Sequence, residues 1–234
     1  MNGSFVSAAT RQRVRDLATP IARGLGRLGL TPNALTVIGF LGTCVAAFAA
    51  VNQLWLVAGV LVLAFGIFDL FDGTLARATG TTSRFGAFLD STFDRAGEAI
   101  VYVGIAAGCL AAGFDLGAIL AASAMAAAFM VSYTRAKAEG LGFSPGTGMA
   151  NVGFAPREVR LGILAVGLIV IGLAGRVGVL PEGFVCPGLS LCVDPQTFFA
   201  GNTTMVIALG LITILATLTT IQRTLDVRAQ SREG

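Results

Sequence analysis

Asp69-Leu-Phe-Asp72-Gly73-Thr-Leu-Ala76-Arg77, followed after eight residues by Gly86 and then by Asp90 and Asp94, sets four carboxylates inside two long apolar runs. A carboxylate at the centre of a membrane helix costs roughly 2.5–3.5 kcal/mol on insertion scales. Glu98 adds a fifth, so a compensating charge is required. Asp69 and Asp72 are spaced i,i+3, and Asp90 and Asp94 i,i+4, so each pair projects from one face of a helix. Thr79-Gly80-Thr81-Thr82-Ser83 is a short polar turn, and it predicts that the two helices run antiparallel as neighbours. Counted from Thr81, Asp72 and Asp90 are each nine residues away, while Asp69 and Asp94 are twelve and thirteen away. Folding the hairpin therefore sets the carboxylates level in two rungs, about 13 to 19 Å from the turn along ideal helices.

Four converging carboxylates repel one another unless cations sit between them. All-oxygen ligation suits Mg²⁺, Mn²⁺ or Ca²⁺, in one or two ions, rather than zinc. The chain has no histidine, which leaves carboxylates to carry any acid, base or metal chemistry. Gly73 and Gly86 would let a substrate approach the backbone beside this cluster, and Arg77, one turn beyond Gly73, is placed to meet an anionic group.

The rest of the chain agrees with a bilayer as solvent. Of 234 residues 55% are hydrophobic and 12% charged, and the mean hydropathy of +0.80 is far above what a water-exposed surface sustains. The net charge of +3 gives no overall basic field that would point to nucleic acid. Runs long enough to span lie at Ala34 to Val51, Leu54 to Ala76, Phe85 to Ala111, Leu116 to Thr134, Val159 to Ala174 and Phe198 to Ile221. The fifth is the shortest unless it continues through Arg176 to Leu180. The expected fold is an all-α membrane protein of six transmembrane helices. Arg77, Arg84, Arg135, Lys137, Arg157, Arg160 and the arginines of both termini fall on one side and Arg176 near the other, which predicts cytoplasmic termini.

Ahead of the first span, Val14, Leu17, Ile21, Leu25 and Leu28 recur at helical spacing with Arg11, Arg15, Arg23 and Arg27 largely off that stripe, an amphipathic helix on the inner membrane face. No cleaved signal peptide is apparent. Thr19-Pro20 and Thr31-Pro32 each read as an N-cap followed by proline at the first helical position. Residues 1–30 form this juxtamembrane segment, 31–225 the six-helix domain and 226–234 a cytoplasmic tail, with 140–155 as a glycine-rich cytoplasmic loop. Cys44 and Cys109 read as buried apolar residues, whereas Cys186 and Cys192 share an outward loop where a disulfide could survive. The small residues from Ala121 to Ala128 suit close packing, either between two copies of the chain or inside one.

The spacing D-x2-D-G-x2-A-R-x8-G-x3-D-x3-D, met here at every fixed position, resembles the signature of the CDP-alcohol phosphotransferases. That resemblance implies attack of an acceptor hydroxyl on the β-phosphate of a CDP-linked lipid with CMP leaving. It assigns Asp69, Asp72, Asp90 and Asp94 to metal, with Asp94 also as the base. It assigns Thr31, Pro32, Asn33, Gly73, Ala76, Arg77 and Gly86 to the CDP moiety. Within the family, Thr19 to Leu25, Leu30 to Asn33, Ser132 to Glu139, Gly153-Phe154 with Arg157 and Arg160, and Gln222-Arg223 resemble the actinobacterial phosphatidylinositol phosphate synthases. This narrower likeness implies CDP-diacylglycerol and inositol phosphate as substrates, Ser132, Arg135, Arg157 and Arg223 around the acceptor phosphate, a homodimer and a prokaryotic cell membrane. Arg135 stands where those synthases carry lysine, and the two are not equivalent at a phosphate. Glycerol 3-phosphate is the alternative acceptor, giving phosphatidylglycerol phosphate. A cation transporter with acidic spans is the remote alternative, since it would account for the carboxylates but not for Gly73, Ala76, Arg77 and Gly86 at these intervals.

Overall fold

A computed structural model describes residues 19–22, 24–143, 153–179 and 195–233. Among them there is no strand. Six long helices follow in order: α1 Pro32–Val51, α2 Trp55–Thr79, α3 Arg84–Ala111, α4 Asp115–Gly140, α5 Arg157–Ala174 and α6 Pro195–Glu233. Each holds one of the six apolar runs, except that Leu54 is the N-cap of α2. The fifth run stops at Ala174 and does not continue to Leu180, because Gly175 turns the backbone extended. Residues 19–22 and 24–27 are helical as well, whereas Val14, Leu17, Arg11, Arg15 and Arg23 lie outside the described residues, as do Cys186 and Cys192.

Local chemistry explains where the helices begin and end. Thr31 accepts a hydrogen bond from the Ala34 amide at 3.2 Å with Pro32 behind it, an N-cap joined to a residue whose missing N–H costs nothing there. α2 stops at Gly80, whose φ of +67° closes the helix with an N–H to the Ala76 carbonyl, a left-handed conformation that favours glycine. Ser83 then caps α3 by accepting from the Gly86 amide at 2.9 Å.

Helices α1, α2, α4 and α6 are long and apolar enough to cross a membrane, and the chain is a membrane protein. The segments α3 and α5 each hold a cluster of charges: Asp90, Asp94, Arg95 and Glu98 on one, Arg157, Glu158 and Arg160 on the other. At 39 residues, α6 extends to about 58 Å, well beyond a hydrocarbon core of about 30 Å, and it takes in residues 226–233 as helix.

Packing closes the six helices into a ring, α1–α2–α5–α6–α4–α3 and back to α1. Its interior mixes alanines, among them Ala46, Ala49, Ala50, Ala58, Ala121, Ala124 and Ala165, with larger side chains such as Tyr102, Ile105, Leu164, Leu168, Met205 and Leu209. Large apolar residues also point out: on α1, Leu41 and Val45 are 56% exposed and Phe48 70%. An apolar exterior suits lipid, where close backbone approach at small residues helps to hold helices together. Gly104 and Gly108 of α3 rest on the backbone of Ala47 and Ala50, with no room for a Cβ. Ala121, Ala124 and Ala128 face this interior, so that part of the small-residue stretch packs within the chain.

One expectation fails. The helices α2 and α3, joined by the polar turn, are not among the pairs that pack along their lengths, and each packs on α1 instead. Two close-packed helices would press the carboxylates together with no space for countercharge; the separation supplies that space.

Candidate active site

The carboxylates meet where α2 and α3 face each other across the gap. One ligand oxygen from each of Asp69, Asp72 and Asp90 lies within 4.8 Å of the others. Asp72 is 5% exposed; its Oδ2 accepts from Thr36 Oγ1 at 2.8 Å, and its Oδ1 faces the Gly73 amide. The Pro32 carbonyl is 3.1 Å from the same Thr36 hydroxyl, whose single proton the two acceptors share, which ties the start of α1 to the cluster. Asp90 Oδ1 is buried with no hydrogen-bond partner.

Asp94 stands outside the group of three. Its Oδ1 is 2.7 Å from Arg157 Nη1 and its Oδ2 is 3.5 Å from Arg95. The same Nη1 reaches Asp69 Oδ2 at 2.6 Å, so a single nitrogen joins the second rung across the gap. One helical turn deeper, Glu98 and Arg160 form a separate pair at 2.7 and 2.8 Å, and Arg160 Nη1 donates to the Ala155 carbonyl. The start of α5 is fixed from its other side by Thr219 Oγ1, which accepts from the amides of Phe154 and Ala155 at 3.0 Å each.

Charge and ligand type test the site for metal. Four aspartates face two guanidiniums, Arg157 and Arg95, which leaves a surplus of two negative charges at one buried place. Three carboxylates already in reach of a common centre, with an unsatisfied oxygen on Asp90, make an oxygen-only donor set of the kind hard divalent cations take. The residues fit such an ion.

Beside the cluster opens a cavity of about 200 Å³ lined by Pro32, Asn33, Thr36, Asp72, Gly73, Ala76, Arg77, Thr81, Thr82, Ser83, Gly86, Ala87 and Asp90. Six of the seven residues expected around CDP are in that lining. Thr31 is spent on its capping bond instead. A Cβ on Gly73 would meet the Arg77 guanidinium at 3.3 Å, and one on Gly86 would meet Asn33 Oδ1 at 3.1 Å; both glycines keep the cleft open. A larger cavity of about 430 Å³ lies at the opposite end of α2, around Gln53 to Val57 and Gly172 to Val177, and has no acidic residue in its lining. Size therefore does not mark the site; chemistry does.

The four residues expected at the acceptor phosphate divide. Arg157 turns to the aspartates. Arg223, 4% exposed, donates to the Val131 carbonyl, next to Ser132, whose hydroxyl bonds back to Ala128 at 3.3 Å. Arg135 pairs with Glu139 at 2.9 Å on the surface. Sequence reasoning missed Thr36 and Arg95. Thr36 had a signal, standing one turn after Pro32 on the same face; Arg95, adjacent to Asp94, had none beyond its charge.

Comparison with known proteins agrees with this geometry. Residues 29–221 match the family model for CDP-alcohol phosphatidyltransferase. A phosphatidylinositol phosphate synthase of Cutibacterium acnes is 36% identical over 211 residues, 89% of this chain and 91% of that protein. An archaetidylinositol phosphate synthase of Pyrococcus horikoshii is 38% identical over 156 residues, 67% of this chain and 78% of that one. Crystal structures of the Mycobacterium tuberculosis phosphatidylinositol phosphate synthase, at 28% identity, superpose with TM-scores of 0.69 for a complex with manganese and citrate and 0.68 for one with CDP-DAG bound. They cover 90% and 91% of this chain, and 88% and 94% of their own. The chain is a transferase and belongs to the CDP-alcohol phosphatidyltransferase family.

Proposed function

We propose that the protein transfers a phosphatidyl group from CDP-diacylglycerol to a hydroxyl of inositol phosphate, releasing CMP and forming phosphatidylinositol phosphate. The observation that carries this reading is the continuity of the aspartate cluster with the cleft: Asp72 and Asp90 belong to both. Asn33, Gly73, Ala76, Arg77 and Gly86 bind the CDP moiety, with Thr31 holding the turn that presents Asn33. Asp69, Asp72, Asp90 and Asp94 hold Mg²⁺ or Mn²⁺, most naturally as two ions, and such ions neutralise the diphosphate and stabilise CMP as leaving group when bound. Asp94 accepts the proton of the attacking hydroxyl at a carboxylate oxygen. Arg157, Arg223, Arg135 and Ser132 hold the acceptor phosphate, to which guanidiniums are matched in charge and shape.

Inositol phosphate is favoured because the relatives from Cutibacterium and Pyrococcus differ in the lipid part of their names and share the inositol phosphate part. A bacterial-type membrane enzyme with six spans follows if α3 and α5 also cross, their charges gathered toward one end. The arginines at the α2–α3 turn and at the starts of α3 and α5 put that end, and both termini, in the cytoplasm. The exposed Ala122 and Ala126 offer a surface for a homodimer. The test is CMP release by purified protein given CDP-diacylglycerol, Mg²⁺ and one acceptor at a time. Inositol phosphate is expected to support turnover; release with glycerol 3-phosphate alone would overturn the assignment.

A further inference from the structure

Arg157 and Arg160 leave one helical face three residues apart, yet their guanidiniums are used differently. All three nitrogens of Arg160 are bonded: Nε and Nη2 to Glu98, Nη1 to Ala155. Arg157 makes both of its ion pairs through one nitrogen, Nη1, and its buried Nε has no hydrogen-bond partner. It is a strongly attracted but poorly satisfied cation. It also sits where the site's excess negative charge calls for a metal, between two of the four aspartates. A divalent ion drawn to Asp69 and Asp94 and the Arg157 guanidinium cannot both neutralise the same oxygens at 2.6 and 2.7 Å.

We propose that Arg157 is an exchangeable countercharge: it holds Asp69 and Asp94 until metal takes them, and the displaced guanidinium is then the group that grips the acceptor's phosphate. Metal loading and acceptor binding are thereby coupled through one side chain. This rests on the metal site and phosphorylated acceptor proposed above, and adds an order and a linkage to them. Because Arg157 competes with metal, its presence lowers apparent metal affinity by the fraction of molecules in which it occupies the aspartates. Because a phosphate draws it away, acceptor must tighten metal binding, and metal must tighten acceptor binding by the same factor.

The test is Mn²⁺ binding to the full chain in detergent micelles, read from the spin-resonance signal of free Mn²⁺, with and without inositol phosphate and no lipid donor. A protein-free control removes direct Mn²⁺–phosphate association. In the wild-type chain inositol phosphate is expected to tighten Mn²⁺ binding several-fold, a measurement that needs no variant. Arg157→Gln is expected to bind Mn²⁺ about tenfold more tightly than wild type and to lose the acceptor effect. Arg95→Gln removes a nearby charge that does not bridge the aspartates, so it should tighten Mn²⁺ binding much less and keep the acceptor effect. Equal gains in the two variants would reduce Arg157 to a background field and overturn the exchange, as would an acceptor effect that survives Arg157→Gln or is absent from wild type. Failure of the wild-type chain to bind Mn²⁺ at all would instead bring down the metal site itself, and the exchange with it.

Discussion

Two acid–arginine rungs cross the ring between α3 and α5, one helical turn apart, and they have opposite characters. Glu98–Arg160 is sealed: the side chains are 4% and 1% exposed, the charges are equal and every arginine nitrogen is bonded. Asp94–Arg157 is 17% and 18% exposed, belongs to a cluster with surplus negative charge, and leaves Arg157 Nε unpaired beside the unpaired Asp90 Oδ1. A fully satisfied pair has nothing left to offer a ligand and serves to fix the start of α5. The incomplete one keeps its capacity for chemistry. Position along the same two helices decides which is which, since the outer rung joins Asp69 of the carboxylate cluster and the inner one is buried a turn further along.

Substitution should separate the two rungs cleanly. Asp94→Asn is expected to cut turnover by about 10²–10⁴-fold while leaving the unfolding temperature in detergent unchanged or raised, because one of several crowded like charges is removed. Retained activity would end the role of Asp94 as proton acceptor. Glu98→Gln should do the reverse: thermal unfolding is expected to show a loss of about 3–5 kcal/mol, since Arg160 is left as an uncompensated buried charge. The combination Glu98→Leu with Arg160→Met should recover most of that loss, and if it does not, the pair contributes more than mutual neutralisation. The smallest effect is expected from Thr36→Val, which strips Asp72 of its hydroxyl partner without changing volume. Mn²⁺ titration should show about tenfold weaker binding, the usual scale for the partner of a metal-ligating group, with little change in fold stability.

Much of this architecture was written in local sequence. The intervals between Asp69 and Asp72 and between Asp90 and Asp94 are helical periods, so their placement on facing helix sides followed from the count although close packing of the two helices did not, and Thr31-Pro32, Gly80 and Ser83 announce helix ends by their own chemistry. Of the cleft lining, Gly73, Gly86 and Arg77 were legible by their own chemistry, whereas Pro32, Asn33 and Ala76 were expected there only from the family resemblance. Partners between distant helices were not legible. Nothing in the interval between α4 and α5 reveals that Arg157 aligns with Asp94 while Arg160 aligns with Glu98, because that depends on how far the end of the loop is drawn down by Thr219. The separation of α2 and α3 was hidden too, since a short turn constrains the ends of two helices but not the angle at which they diverge.

An apolar exterior around an apolar interior has a thermodynamic corollary. In a soluble domain, unfolding wets a greasy core and the heat capacity rises steeply. Here, pulling the helices apart in a membrane would trade contact among apolar side chains for contact with acyl chains, two media of similar polarity. Stability of the ring is then a matter of shape and of the sealed ion pair rather than of hydration, and its dependence on temperature should be correspondingly flat.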